Sequence, residues 1–171
     1  MKPTRFFKIA IVSILLNVII TFLTLSSYAN ELSLPDIKAK PGQSFDVPVM
    51  IDQVDNLAGV KLVITYDSNA LMFKKGSKTE VTSSLMHIIN DKKPGTLIVV
   101  MAGAKGIEGK KIAILTLTFE VKKELKAIQS TELKITEMQL MSDQLKELKY
   151  DTRIGKITIS DKQSKEMIKR K

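Results

Sequence analysis

The chain has 171 residues with 27 basic against 18 acidic side chains, for a formal charge of +9, and it contains neither cysteine nor tryptophan. Without cysteine there is no disulfide, no thiolate nucleophile, no thiolate zinc site and no sulfur to acylate in a lipoprotein, so the fold must rest on its apolar core. A single histidine, His87, leaves neither a Ser-His-acid triad with a second histidine in reserve nor a histidine-rich metal site.

The first element is a leader. Lys2, Arg5 and Lys8 give a basic start, an apolar run follows from Ile9 to Leu25, and Ser27 and Ala29 have the spacing of a small-x-small cleavage site. That run is shorter than the roughly 20 residues of a bilayer span. Residues 1–29 are therefore expected to be a signal peptide cut after Ala29. An uncleaved anchor is the alternative, and only then would the chain touch a membrane. The expected location is secreted or in the cell envelope, including a periplasm. Without Lys2, Arg5 and Lys8 the count falls to 24 basic against 18 acidic residues, a net +6.

Beyond the leader the dominant period is two, the signature of half-buried strands. In Ser44–Asp52, Phe45, Val47, Val49 and Ile51 share one face, with Pro48 marking a bulge or a gap in pairing. Val60, Leu62, Ile64 and Tyr66 alternate with Lys61, Val63 and Thr65. Leu97–Ala102 is apolar on both faces, as in a central or covered strand. In Lys111–Lys122, Ala113, Leu115, Leu117, Phe119 and Val121 point inward. Leu133 and Ile135 set one parity, Met138 and Leu140 the other, so a β-bulge is expected near Thr136–Glu137. Ile157 and Ile159 mark a last strand. Lys40-Pro41-Gly42, Asp67-Ser68-Asn69, Lys93-Pro94-Gly95 and Gly103–Gly109 supply turn chemistry between the runs. The pattern predicts an all-β sandwich over residues 30–160, followed by a basic tail at 161–171 that is expected to be disordered.

Four stretches in order resemble one family. Ala39–Val49 is a glycine turn leading into an alternating strand that ends in Val-Pro-Val. Leu57–Leu71 carries a Tyr66-Asp67 pair with a leucine four residues after the aspartate. Gly95–Ala104, followed by Gly106 and Gly109, and Ile112–Lys122 complete the set. Together they resemble the cohesin module, the receptor domain of cellulosomal scaffold proteins. The resemblance implies a nine-stranded jelly-roll β-sandwich and a non-catalytic role, in which an outer sheet face docks a protein partner such as a dockerin. It would connect the chain to polysaccharide breakdown. Any calcium would belong to the dockerin, so no cofactor is expected here. Carried over residue by residue, the partner-binding face would include Lys61, Val63, His87, Val100, Gly103, Leu145 and Glu147. Lys61 and Gly103 depart from the acids and amides common at those positions in the family.

Other site chemistry is thin. No Asp-x-Asp-x-Asp-Gly calcium loop is present, and no metal site is expected. Nucleic acid is excluded as a partner by export and by only five aromatics after the leader: Phe45, Tyr66, Phe73, Phe119 and Tyr150. Direct polysaccharide binding is the alternative function, with Tyr150 and Phe73 as candidate rings for stacking on sugar faces. A third reading is an envelope accessory domain docked through Val63, Ile98 and Val100, which form an outward apolar patch. The leader makes the first checkable claim. The exported protein should have the mass of a chain starting at Asn30, and a mass that includes Met1–Ala29 would establish the anchor instead.

Overall fold

The computed structural model describes residues 30–125 and 129–160; the expected signal peptide and basic tail lie outside them. Ten strands run in chain order: β1 Glu31–Ser33, β2 Ile37–Ala39, β3 Ser44–Thr65, β4 Leu71–Lys78, β5 Met86–Asn90, β6 Thr96–Val121, β7 Gln129–Ser142, β8 Glu147–Leu148, β9 Asp151–Arg153 and β10 Gly155–Ile159. There is no helix among the described residues, and thus none long and apolar enough to cross a membrane.

One long antiparallel ribbon organises the molecule. β3 and β6 pair from Ser44↔Glu120 to Thr65↔Thr96. Two pairs of strands expected to be separate are therefore continuous, and Gly103–Gly109, expected as a turn, stays within β6. The ribbon folds over around residues 54–59 and 102–109, where the register shifts twice before regular pairing resumes. Asn56 adopts φ +63°, a left-handed conformation that asparagine tolerates better than most residues. A Cβ on Gly106 would strike the Asn56 side chain and backbone, so only glycine lets the two strands approach this closely.

Folding this ribbon generates both layers of the sandwich. The first sheet runs β5, the early part of β6, the late part of β3, β7, β8. The second runs β9, β1, the early part of β3, the late part of β6, β4. β10 closes one corner, antiparallel to the start of β7 and parallel to β2.

Period-two alternation places the core between the layers. Val47, Val49, Ile51, Leu62, Ile64, Leu97, Val99, Leu115, Leu117 and Phe119 are fully buried. Each such side chain contributes about 1.5–3 kcal/mol relative to exposure. Two of the register shifts adjust the pattern within the sheets. Beside Pro48, the shift from Val49↔Leu115 to Met50↔Ala113 leaves Ile114 as the extra residue. Ile114 and Leu115 are consequently both buried, and Ala113, expected to point inward, sits opposite the outward Met50. The second shift is the bulge expected near Thr136: Val63 faces Glu137 and Ile64 faces Ile135, and the Thr136 hydroxyl donates to the Val63 carbonyl at 3.2 Å.

At the end opposite the fold-over, the two ends of the ribbon meet on one ring. Phe119 has Phe45 stacked at 6.2 Å, with Tyr66 and Phe73 edge-on at 5.2 and 5.6 Å. These offset and edge-to-face geometries are the favourable ones for aromatic pairs.

The fold-over makes a specific forecast. Gly106→Ala should lower stability by about 1–3 kcal/mol, read as a lower urea midpoint at unchanged slope. Wild-type stability in that variant would mean that the Asn56 contact does not constrain the bend.

Candidate functional site

On the outer face of the first sheet, exposed apolar and charged side chains stand in cross-strand register. Three cross-strand rows build it. Ile88 lies opposite Val100, Val100 opposite Lys61, and Lys61 opposite Gln139. Asn90, Ile98, Val63 and Glu137 form the next row. Met86, Ala102, Gly59 and Met141 form the third, which Glu147 extends on β8.

The face has two halves. Toward the β5 edge it is apolar: Met86 is 74 % exposed, Ile88 66 %, Val100 43 % and Ile98 37 %, and Val63 beside them is half-buried. Toward β7 and β8 it is polar, with Lys61, Glu137, Gln139 and Glu147. The Lys61 ammonium lies 3.8 Å from the Glu137 carboxylate, with both side chains more than half exposed. Such a pair is weak and readily exchanged for a partner's charge. In the centre of the third row, Gly59 and Ala102 leave a low floor between Met86 and Met141.

The comparisons with known proteins bear on what this face belongs to. A family model for the Cohesin domain matches residues 30–159. The chain belongs to the cohesin family. Among solved structures it is similar to a non-cellulosomal cohesin from the hyperthermophilic archaeon Archaeoglobus fulgidus. That pair has 18 % identity and a TM-score of 0.70, covering 82 % of this chain and 97 % of the other. The sixth cohesin of scaffoldin B from Acetivibrio cellulolyticus, solved with a Cel5 dockerin variant, has 18 % identity and a TM-score of 0.69 over 77 % and 99 % of the two chains. A type I cohesin–dockerin complex from Clostridium thermocellum gives 19 % identity and 0.68 over 77 % and 99 %. No curated protein matches the chain significantly. The all-β cohesin-like sandwich expected from the sequence is the fold observed, and cohesins are a non-catalytic family of binding modules.

Within this cohesin fold the carried-over residues divide. Lys61, Val63, Val100 and Glu147 share the outer face. Leu145, at φ +59° and 82 % exposed, stands in the β7–β8 turn at its edge. His87 does not share it. It pairs with the buried Met101 and is itself half-buried, so its side chain has the inner parity, and Met86 and Ile88 take the outer one. Gly103 is also turned inward, because a Cβ there would run into the side chain of the buried Leu85. An acid at this position would press on the core instead of adding charge to the face. Sequence reasoning missed Met86, Ile88, Gln139 and Met141.

The two rings proposed for sugar stacking are occupied elsewhere, which corrects their expected exposure. Phe73 is half-buried against Phe119. Tyr150 is half-buried against the core, and its hydroxyl donates to the Gln53 carbonyl at 2.8 Å. They form no shared flat platform. Among the described residues no group of three or more His, Asp or Glu side chains converges as a metal site.

Burial pushes the Tyr150 phenol above its ordinary value of 10, and the nearby Asp55 carboxylate adds to the shift. A raised folded-state value means that the neutral phenol favours the folded state. This contribution is complete below pH 10 and is lost as the pH rises through the raised value. Tyr150→Phe should therefore flatten the alkaline fall in stability above pH 10 and cost about 1 kcal/mol below it from the lost hydrogen bond. Denaturation midpoints between pH 8 and 11 measure both, and parallel curves for the two proteins would contradict the assignment.

Proposed function

We propose that this cohesin domain is exported and docks a protein partner through the outer face of its first sheet, with a dockerin-bearing protein as the leading partner. The observation that supports this most is the contiguous apolar half of the face, Met86, Ile88, Ile98 and Val100 beside half-buried Val63. Contiguous exposed apolar surface of this kind marks interaction sites. The polar half supplies a rim whose charges fix orientation more than they add affinity. Several of the structures with this fold are cohesins solved together with dockerins. In that setting the domain would tether a partner acting on polysaccharide. Lys61 in the middle of the rows favours a partner that brings a carboxylate to it.

Capture of a dockerin-bearing protein from the producing organism's medium and envelope tests this reading. Val63→Asp and Val100→Asp should each weaken capture at least about tenfold by burying an unpaired charge in the interface, with far-UV spectra and melting unchanged. Chelator should release a partner whose fold needs calcium. Undiminished capture by both folded variants would exclude this face as the site.

A further inference from the structure

The edges of the two sheets are protected unequally. β4, at the edge of the second sheet, carries Lys74, Lys75 and Lys78, and a bulge between Phe73 and Lys75 breaks its register. β2, β8 and β9 are strands of three, two and three residues. Short strands, lysines and bulges are the usual devices that stop one sheet from adding to another. β5 has none of them. Its five residues, Met86-His87-Ile88-Ile89-Asn90, include no Lys, Arg, Asp, Glu or Pro, and they pair with β6 without a register shift.

The outer side of this strand is an open ladder. In an antiparallel pair every second residue bonds to its neighbour, so the residues between turn their N–H and C=O groups away from it. Among the described residues, the backbone of 86–90 bonds to no segment other than β6. The strand is nonetheless firmly seated. Ile89 packs where a Cβ on Gly76 would be, and the Lys78 ammonium donates to the Ser83 and Leu85 carbonyls at 2.7 and 2.9 Å, just before β5 begins. A strand already held in place loses little conformational freedom when it pairs.

The layout of the outer face points the same way. Interfaces set an apolar centre inside a polar rim. Here Met86, Ile88, Ile98 and Val100 lie against the free edge, and across the sheet Lys61, Glu137 and Gln139 border them on the β7 side alone.

We propose that β5 is a self-association edge, to which a second copy of this chain adds its own β5 antiparallel. A two-fold axis at Ile88 sets that residue beside its own symmetry mate, Met86 beside Asn90 and His87 beside Ile89. No such pair brings like charges together. The two first sheets become one, and their outer faces look the same way. Ile88, Val100 and their mates then form an apolar middle, with Lys61 and Glu137 as a rim on both sides. The junction uses the backbone of β5, so the outward side chains of the doubled face stay open to a docking partner.

Because the chain has no cysteine, a single introduced thiol reports the contact directly. In sedimentation velocity the protein should show a monomer–dimer equilibrium. Ile88→Cys should oxidise to a covalent dimer, because directly opposed residues hold their Cα atoms about 4.5–5.5 Å apart, within disulfide reach. Val63→Cys, on β3 and away from the edge, should stay monomeric under the same oxidation. Ile88→Lys should abolish the dimer by setting two ammonium groups side by side, and mixing it with Ile88→Glu should restore it. A monomer at every concentration would overturn the proposal and leave this edge to an extended segment of another protein. A dimer that survives Ile88→Lys, or a disulfide through Val63→Cys and not through Ile88→Cys, would move the contact to another surface and overturn it as well.

Discussion

The close approach of Gly106 to Asn56 is the constraint on which the rest of the molecule depends. A ribbon as long as β3 and β6 cannot bury one face alone, because its apolar side would lie open to water. Folding it once sets that side against itself, and both sheets of the sandwich follow from one folded ribbon. The fold-over needs backbone against backbone, which only a residue without Cβ permits. At the other end Phe119 receives Phe45 from the start of β3 and Tyr66 from just beyond its end, which ties the folded ribbon shut. Each sheet is then extended by strands that contribute less to the core.

This architecture separates packing from recognition by parity. Along late β3 and early β6, every second residue is buried and the residues between form the outer face proposed for docking. The face can therefore vary in chemistry without disturbing the core, as Lys61 shows between Val100 and Gln139. Inward positions lack that freedom. Gly103 and His87 lie next to Leu85 and Met101, where a change in size or charge is felt as stability. The same topology places Asn30 and Ser160 at opposite ends of the described sandwich.

Much of this was legible in the residues wherever one parity was clearly apolar. The strands around Phe45–Ile51, Val60–Tyr66 and Leu115–Val121, and the phase slip at Thr136, follow from local pattern alone. The facing of β5 was not legible, because Met86 and Ile88 on one parity and His87 and Ile89 on the other are all able to pack. The decision comes from distant glycines: Ile89 packs where a Cβ on Gly76 would be, and Leu85 where one on Gly103 would be. The rings of Tyr150 and Phe73 were misread as exposed for a related reason. Their partners, the Gln53 carbonyl and Phe119, are remote in sequence and carry no local signal. Gly103–Gly109 has turn composition, yet its glycines serve close approach within a continuous strand.

The central claim is that recognition belongs to the outer face of the first sheet. Amide hydrogen exchange on the domain with and without its captured protein partner tests it most directly. Protection confined to β5, residues 96–102 of β6 and residues 59–65 of β3 is the predicted result. Protection on β4 and β1, with that face unchanged, would contradict it.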